Sequence, residues 1–300
     1  MINLNTHLKK GVLIFGVFFL ALSFLLLPGC SARPVKVRIG SYNLRMQQLD
    51  KGDNAWEVRR ARVMTSIREN DFDVFGVQEL TDWVQAELLE DLGDTYAAVF
   101  FSPYSQDGVG DKAQGILYRK DRFKLLEYHY FWMSDTPFQV SENDHRVNNP
   151  SKSFIRGGIC AILKERRTGR KFFFMNAHGA LNKEENYKYA HVYQDMEQKY
   201  NPKGYPSFFV GDLNARPDLP THTVIRKWWS DSAENCNPRP VTYNGFKTDP
   251  SLWGSNNGQI DFIYYRNIDA PEQFTCNQKM YDGLCASDHF PIWADFVIKK

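Results

Sequence analysis

The sequence predicts an α+β fold, a four-layered α/β sandwich of two packed, mostly antiparallel or mixed β-sheets with helices outside. Two observations predict it. Stretches with helical apolar spacing interleave with strand-like stretches, and many strand-like stretches follow one another directly, as hairpins do. Because no linker or repeat is visible after residue 35, we expect residues 36–300 to form one domain.

The first half of the domain alternates strand and helix patterns. Residues 35–44 alternate apolar and polar side chains and predict a strand, and residues 73–79 are a short apolar run that predicts a buried strand. Helical spacing predicts helices at 55–70 and 81–92. The run Arg59-Arg60-Ala61-Arg62 is interpreted as the solvated face of the first helix, with a DNA-gripping surface as the alternative.

The rest of the domain is richer in strands. A long polar loop is expected at 137–153, a helix at 182–200 and a loop-rich stretch at 234–257. The further predicted strands are 96–101, 115–118, 125–133, 154–164, 171–178, 207–211, 259–266 and 286–298.

The first 30 residues have the three zones of an export signal. Lys9 and Lys10 precede an apolar run that ends in Leu27-Pro28-Gly29-Cys30. That run is short for a membrane span, which needs roughly 20 apolar residues. Its ending resembles a bacterial lipoprotein processing site, in which the cysteine becomes the lipidated first residue. We interpret residues 1–30 as a signal peptide and 31–35 as a short linker, with a membrane anchor or plain secretion as alternatives.

Export has consequences for location and for the cysteines. We expect a lipid-anchored protein of the bacterial cell envelope, at the outer membrane, periplasmic or surface face, acting as a monomer. An exported protein can hold disulfides. Cys160 lies in an apolar strand and is predicted to be a free core thiol. Cys276 and Cys285 are close enough in sequence to close a small loop, and Cys236 is the other candidate partner.

The charge of the chain bears on its partners. The formal net charge is +2, and Lys9 and Lys10 supply both charges because the first 29 residues contain no acidic residue. The remainder is therefore about neutral. A neutral surface argues against nonspecific gripping of long nucleic acid, although it leaves room for a local basic patch.

Polar residues recur where apolar strands end or begin. A single carboxylate at such a place is commonplace, as a cap or a solvated turn. Carboxylates, amides and two histidines in the same position on several strands predict a site assembled from strand ends. The residues are Asn43, Glu79, His178, Asp212, Asn214, Asp261, Asp288 and His289.

These residue types suit hydrolysis of phosphate esters. A hard cation such as Mg²⁺ prefers oxygen ligands, and Glu79, Asp288 and Asn43 are the candidates. The cation would neutralise the phosphate and the charge that develops on the leaving oxygen. Asp212 would orient or deprotonate the attacking water.

The remaining residues of the set fit supporting roles. His178 and Asn214 would donate hydrogen bonds to the non-bridging phosphate oxygens. Asp261 would hold the imidazole of His289 in one tautomer.

The ordered motifs resemble the endonuclease/exonuclease/phosphatase superfamily, a metal-dependent group that includes deoxyribonucleases, abasic-site endonucleases, neutral sphingomyelinases, deadenylases and inositol polyphosphate phosphatases. They cover nearly all of residues 36–298. The matching segments are Ser41-Tyr42-Asn43-Leu44, Val77-Gln78-Glu79, Gly115-Ile116-Leu117-Tyr118-Arg119, residues 131–137, Asn176-Ala177-His178, Gly211-Asp212-Leu213-Asn214-Ala215, Gln259-Ile260-Asp261-Phe262-Ile263 and Ser287-Asp288-His289-Phe290-Pro291.

The resemblance implies a site at one edge of the sandwich, dependence on Mg²⁺ or Mn²⁺, and a phosphate-ester substrate, with nucleic acid among the candidates. It implies metal contacts by Glu79, Asp288 and Asn43, and contact of Arg156 and Asn43 with the substrate phosphate. A structural ion pair is the alternative for Arg156. The residues it assigns to catalysis are His178, Asp212, Asn214, Asp261 and His289.

The sequence departs from the family pattern at two places. The usual Asn-Thr-His-Leu-Asp/Glu is Asn176-Ala177-His178-Gly179-Ala180 here, so this loop is expected to be looser or shaped for another ligand. Some members carry a Glu ahead of the Tyr118 strand to orient the first histidine. Asp111-Lys112-Ala113-Gln114 stands there in this chain, which leaves the partner of His178 unidentified.

No core carboxylate is missing, so the sequence predicts an active enzyme. The leading expectation is a phosphodiesterase, with a nuclease as the first subtype. A phosphatase, a phospholipid or sphingomyelin phosphodiesterase, and a non-catalytic surface binding module are the alternatives. Trp228, Trp229, Tyr243 and Trp253 would either stack on bases or sugars or simply pack in the protein.

Overall fold

The structure, a computed structural model, describes residues 33–140, 155–254 and 258–299. The predicted signal peptide with its lipoprotein site, most of the predicted polar loop at 137–153, and His145 lie outside these residues. In the described part of the chain, none of the helices combines the length and apolar character that crossing a membrane requires.

The described strands form two six-stranded sheets, which confirms the predicted two-sheet fold. Sheet one has the order β11-β12-β1-β2-β4-β3, and sheet two has the order β5-β6-β7-β8-β10-β9. The strands of sheet one are β1 (Val35–Asn43), β2 (Val74–Leu80), β3 (Tyr96–Phe101), β4 (Ala113–Arg119), β11 (Gln273–Cys276) and β12 (Ile292–Ile298). Those of sheet two are β5 (Phe123–Trp132), β6 (Gly157–Glu165), β7 (Lys171–His178), β8 (Ser207–Asp212), β9 (Ser230–Asp231) and β10 (Asp261–Arg266).

The described helices lie on the outer faces of the sheets. They are α1 (Trp56–Asn70), α2 (Asp82–Leu92), α3 (Lys183–Lys188), α4 (Ala190–Tyr200) and α5 (Pro220–Ile225). On sheet one, Val63 of α1 and Leu88 of α2 pack in one apolar cluster with Phe75 of β2. On sheet two, Val192 and Tyr193 of α4 belong to a cluster with residues of β7 and β8. Burial of these apolar side chains is the main favourable contribution to such packing.

A third apolar cluster fills the space between the sheets. It combines Val37 and Ile39 of β1 with Phe174 of β7, Val210 of β8 and Phe296 of β12. Alternation along each strand explains the arrangement, since successive side chains point to opposite faces. The sheets therefore form the two inner layers of the predicted sandwich.

The connectivity of the two sheets sets the position of the candidate site. In each sheet one pair of neighbouring strands is parallel, β1 with β2 and β7 with β8, and the other described pairs are antiparallel. The carboxyl ends of a parallel pair lie at the same edge. Asn43 of β1 accordingly lies beside Gln78 of β2, and His178 of β7 lies beside Asp212 of β8.

Close contact between β7 and β8 depends on Gly211. Its φ is +150°, and a Cβ atom built there would lie 1.9 Å from the Ala177 carbonyl oxygen. Only glycine accommodates such an approach of two backbones. Gly211 therefore permits the register that places Asp212 next to His178.

Most predicted elements are confirmed to within two residues at each end, but two predictions need correction and three elements were not predicted. The single helix predicted at 182–200 is two helices separated at Tyr189, whose ψ of 6° is not helical. The last strand begins only at Ile292, because the backbone of Asp288 and Phe290 bonds to residues 242–245 instead of to a strand. The sequence analysis missed α5, β9 and β11, which are short.

The interpretation of the Arg59-Arg60-Ala61-Arg62 run as a solvated face is wrong for one member. Arg59 is fully buried, whereas Arg60 forms ion pairs with Glu87, Glu90 and Asp91 of α2. The helical spacing of the apolar residues did not reveal this, because Arg59 lies at the first turn of α1, beneath the loops that follow β1.

The four described cysteines are free thiols. Cys160 is buried in sheet two as predicted, and burial raises its pKa well above the usual range. The sulfur of Cys276 contacts the Val241 carbonyl, and that of Cys285 contacts the Lys247 carbonyl. The predicted disulfide between Cys276 and Cys285, and its alternatives with Cys236, are not formed in the structure.

We expect buried His222 of α5 to make stability depend on pH. Its Nε2 lies 2.9 Å from the Ala215 carbonyl oxygen and its Nδ1 lies 2.6 Å from the Tyr264 hydroxyl. Burial lowers the pKa of His222 to about 4, against about 6.5 for an unfolded histidine. The unfolded state therefore binds the proton more tightly, so this contribution is complete above about pH 6.5 and is lost as the pH falls towards 4.

Urea denaturation of the wild type and of His222→Gln at pH 7 and pH 5 measures this contribution. Between these pH values the wild type should lose about 2 kcal/mol more stability than the variant. His191→Gln, which changes an exposed histidine of α4, is the matched control and should follow the wild type. Parallel pH dependence of the wild type and His222→Gln would contradict the prediction.

Candidate active site

One carboxylate oxygen is the meeting point of the candidate site. Oδ2 of Asp212, at the end of β8, accepts a hydrogen bond of 3.0 Å from the Asn43 side-chain amide. The same oxygen lies 3.5 Å from Nε2 of His178 and 3.6 Å from Nε2 of His289. Burial alone would raise the pKa of Asp212, but His289 and His178 hold it well below the usual range. Asp212 is therefore an ionised carboxylate with three polar groups directed at one oxygen.

His289 is oriented by a buried carboxylate. Its Nδ1 donates to Oδ2 of Asp261 at 2.9 Å, and its other nitrogen faces Asp212. Burial would lower the pKa of His289, but Asp261, Asp212 and Asp288 together raise it well above the usual value. Burial also raises the pKa of Asp261. The arrangement fixes the ring in one orientation, as the sequence predicted.

The partner of His178, which the sequence left unidentified, is Arg156. Its Nη1 lies 3.0 Å from Nδ1 of His178. Because a guanidinium only donates, Nδ1 accepts and the ring proton is on Nε2, which faces Asp212 and lies 3.8 Å from Oε1 of Glu79. Burial lowers the pKa of Arg156, although the nearby carboxylates of Glu79 and Asp212 oppose the shift. By donating to Nδ1, Arg156 thus favours the tautomer of His178 that carries its proton on Nε2, the nitrogen that faces Asp212.

Glu79 points into the site from a distorted end of β2. Its φ is +65°, and the register of β2 with β4 shifts between Val77 and Leu80. A bulge of this kind redirects a side chain, and positive φ in a residue other than glycine costs free energy. Oε1 accepts from the Asn43 amide at 3.1 Å and Oε2 accepts from the backbone N–H of Met46 at 2.9 Å. Burial would raise the pKa of Glu79, but His178 and Asn43 lower it.

Asn43 therefore bridges two carboxylates through its amide nitrogen. Its side-chain oxygen accepts the backbone N–H of Arg45 at 2.9 Å. This bonding pattern favours a positioning role for Asn43 over direct metal contact.

Asp288 lies in the loop before β12, beside Arg45. The guanidinium of Arg45 is 3.6 Å from Oδ2 of Asp288 and 3.4 Å from Oδ2 of Asp50. Burial raises the pKa of Asp288 to about 6, Glu79 adds to this increase, and Arg45 opposes it. Glu79 and Asp288 therefore interact as neighbouring like charges, which a cation between them would relieve. Arg45 had no role in the sequence analysis, although it directly follows the Asn43-Leu44 motif.

The turn after β8 is tight, and the loop after His178 packs onto it. The backbone N–H of Asn214 donates to Oδ1 of Asp212 at 2.9 Å, and its amide donates to the Gly179 carbonyl at 3.1 Å. A Cβ atom at Gly179 would lie 2.3 Å from the Leu213 carbonyl oxygen. The expectation of a looser loop is therefore wrong: glycine replaces the usual leucine where the backbone of the next turn leaves no room.

A network of buried amides lies beneath the site, between the sheets. The side-chain nitrogen of Asn176 on β7 donates to the carbonyls of Val77 and Gly115 in sheet one at 2.9 and 2.8 Å. Its oxygen accepts from the amide of Gln78 at 2.7 Å. Buried amides must be paired in this way, because an unpaired one costs about 1–3 kcal/mol. Gln78 precedes Glu79, and Asn176 lies two residues before His178, so the network links the two strand ends.

The aromatic and histidine residues outside the motifs have packing contacts. Trp229 is buried, Trp228 lies against Arg266, and Trp253 packs against Phe290. Tyr243 alone among these four aromatic residues contacts a residue of the candidate site: its ring packs edge-on against that of His289, with ring centroids 5.1 Å apart. His129 stacks on a tyrosine and His222 is buried in hydrogen bonds, which agrees with structural roles for both.

The donor atoms fit a hard divalent cation. Among the described residues, two groups of three have ligand atoms within 4.8 Å of one another, Glu79 with His178 and Asp212, and Asp212 with Asp261 and His289. Asp288 belongs to neither group, although it interacts electrostatically with Glu79. The carboxylate oxygens are the ligands that Mg²⁺ and Mn²⁺ accept. All eight residues taken from the strand-end pattern thus lie around one edge of the sandwich.

Comparison with solved structures shows the same fold in several proteins. An endonuclease/exonuclease/phosphatase family protein of Bacteroides thetaiotaomicron matches with a TM-score of 0.77 and 22% identity, over 89% of this chain and 99% of that chain. A mannosyl-6-phosphatase of the same organism has a TM-score of 0.76 and 23% identity, over 87% and 99%. Danio rerio TDP2 complexed with a single-strand DNA product has 0.66 and 21%, over 87% and 98%.

Sequence comparison gives the family. No curated protein matches the chain by sequence. The sequence profile described as "Endonuclease/Exonuclease/phosphatase family" matches residues 40–289, which include all eight strand-end residues and Arg156. The chain therefore belongs to the endonuclease/exonuclease/phosphatase family of phosphate-ester hydrolases.

Proposed function

We propose that this protein is a Mg²⁺- or Mn²⁺-dependent phosphodiesterase, with a nuclease as the first candidate subtype. The observation that supports this most directly is the convergence of Asn43, His178 and His289 on one oxygen of Asp212. A buried, ionised carboxylate with two imidazoles beside it is suited to holding a water molecule against a phosphate.

In this proposal, hydrolysis uses the residues as follows. Asp212 accepts a hydrogen bond from the attacking water, which orients the lone pair of that water towards phosphorus. The P–O bond to the leaving group breaks as the new P–O bond forms, Asp212 takes the proton of the water, and the leaving oxygen departs with the bonding electrons and takes up a proton from solvent. His178 donates from Nε2 to a non-bridging oxygen, and His289, held by Asp261, stabilises the added negative charge.

Glu79 and Asp288 are the proposed metal ligands. The bound cation would supply neutralisation of the phosphate and of the leaving oxygen. Asn43 and Arg156 are the residues proposed to contact the phosphate, and both also position other side chains of the site.

A phosphatase is the second candidate, and one observation favours it. Outside its first 29 residues the chain has about zero net charge, which is unlike a protein built to hold long nucleic acid. The structural relatives include both a mannosyl-6-phosphatase and an enzyme complexed with single-strand DNA. A substrate panel separates the two candidates.

The panel tests metal dependence at the same time. We expect the purified domain to hydrolyse at least one of DNA, RNA, sphingomyelin, inositol phosphates, a chromogenic diester or a sugar phosphate with Mg²⁺ or Mn²⁺. EDTA should abolish turnover, and excess divalent ion should restore it, because the carboxylates require the cation to bind phosphate. Folded protein without turnover on any substrate, or turnover indifferent to EDTA, would reject the proposal.

Asp212→Asn distinguishes an enzyme from a binding module on the same fold. The amide keeps the size of the side chain but removes the negative charge that orients the water, so kcat should fall by about 10²–10⁴-fold. Asp218→Asn, at an exposed position in a surface ion pair, is the matched control and should keep wild-type kcat. A chain that binds its ligand but shows the same rates for both variants would be a binding module.

We further propose that the protein is exported to the bacterial cell envelope and anchored through lipid on Cys30, as a monomer. The support is the order of Lys9 and Lys10, the apolar run and the Leu27-Pro28-Gly29-Cys30 ending. An anchor at this position would leave residues 36–300 as the free catalytic domain.

Cys30→Ser tests the anchor, because serine has no thiol to carry the lipid. In a bacterial host, the wild type should incorporate labelled fatty acid and sediment with membranes, and the variant should do neither. Cys236→Ser is a control that keeps Cys30 and should behave as the wild type. Equal labelling of Cys30→Ser and wild type would refute the lipoprotein assignment.

A further inference from the structure

Arg59 has an unusual environment for an arginine. Its side chain is fully buried at the start of α1, and its guanidinium donates to four backbone carbonyls. Nη1 donates to Leu44 at 2.9 Å and to Ala286 at 3.3 Å, Nη2 donates to Arg45 at 3.0 Å, and Nε donates to Asn54 at 2.9 Å. The guanidinium of Arg59 therefore links the segment after β1 to the segment before Asp288 through hydrogen bonds.

Backbone hydrogen bonds between β1 and β12 do not link these two segments. The pairing of β1 with β12 ends at Ser41 and Ile292, so beyond these residues the two chains are no longer joined to each other by strand pairing. Asn43 and Asp288 lie in those segments. Besides Arg59, a direct bond between them runs from the Ser287 hydroxyl to the Asn43 carbonyl at 2.8 Å. These two side-chain contacts, together with the ion pair of Arg45 with Asp288, replace the missing backbone pairing at the site.

Stability alone gives a weak reason for a buried arginine here. The nearest carboxylate in an ion pair with Arg59 is Asp50, at 3.9 Å, and burial lowers the pKa of the guanidinium. A buried charge carries a large desolvation cost, and well-packed apolar residues often replace buried ionic groups without loss of stability.

We propose that Arg59 is a positioning residue for the metal end of the site. Three of its four hydrogen bonds, to the carbonyls of Leu44, Arg45 and Ala286, hold the segment after β1 against the segment before Asp288. They thereby fix the backbone that carries Asp288. This inference rests on the proposed metal-dependent function. The arginine touches neither substrate nor cation, and it acts through the backbone that carries Asn43 and Asp288.

The neighbouring Arg60 offers a matched control. It lies on the same turn of α1, but its guanidinium is half-buried on the outer side of the helix and forms ion pairs with Glu87, Glu90 and Asp91 of α2. Surface ion pairs of this kind contribute little to stability, typically about 0–1 kcal/mol. Arg60→Met removes the same charge one residue away without touching the loops of the site.

The test measures Mn²⁺ binding without substrate, by titration calorimetry or by electron paramagnetic resonance of free Mn²⁺. Arg59→Met should raise the Kd for Mn²⁺ by about 10–100-fold, the usual effect of removing an outer-shell support of a metal site. Arg59→Lys should recover only part of the affinity, because an ammonium is a point charge and lacks the planar fork of donors. Arg60→Met should keep the wild-type Kd.

The outcomes separate the inference from the proposed function. Wild-type protein that does not bind Mn²⁺ would reject the metal-dependent function. Wild-type affinity in a folded Arg59→Met, even with a lower melting temperature, would overturn the inference and leave a purely structural arginine. Should Arg59→Met not fold, Arg59→Lys and Ser287→Ala decide: raised Kd in both supports the inference, and unchanged Kd in both overturns it.

Discussion

The crowding of four carboxylates at one edge of the sandwich is the constraint on which the other features of the site depend. Asp212, Asp261 and Asp288 are buried and Glu79 is half-buried, and an ionised carboxylate in such surroundings is costly unless it is paired. The free-energy cost of an ionised carboxylate is compensated to different extents at the different residues. The pKa of Asp212 is lowered by two imidazoles, whereas that of Asp288 is raised. The site therefore holds one carboxylate ready to accept a hydrogen bond and another whose charge needs a cation.

The two parallel strand pairs explain how one edge collects so many residues. Each pair lies inside an otherwise antiparallel sheet, and the ends of β1, β2, β7 and β8 meet on the same side. The backbone has positive φ at Glu79, near the end of β2, and at Asn214, in the turn after β8. Such conformations persist only where the surroundings compensate for them. Here the compensation comes from hydrogen bonds with Met46 and Asp212.

The sequence predicted the fold and the membership of the site because both follow from local patterns. Apolar periodicity located β3 and β7 to the residue, and polar residues at strand ends identified Asp212 and His289. The partner of His178 was not predictable, because Arg156 directly precedes β6 and only the pairing of β6 with β7 brings the two residues together. Burial of Arg59 was missed for a different reason, since all four of its hydrogen-bond partners are backbone carbonyls. Every residue has such a carbonyl, so no residue type in the sequence points to these contacts.

The pairing of Asn176 with backbone of the opposite sheet has a mechanical consequence. Two sheets held together by apolar contacts alone can shear past one another, since such contacts have no direction. The hydrogen bonds from Asn176 to the carbonyls of Val77 and Gly115 are directional, so they oppose sliding of one sheet over the other. With the two sheets held in register, the residues of the candidate site stay aligned even when the outer loops differ in length or composition. Diversification of such loops would then alter which molecules enter without dismantling the machinery that cleaves them.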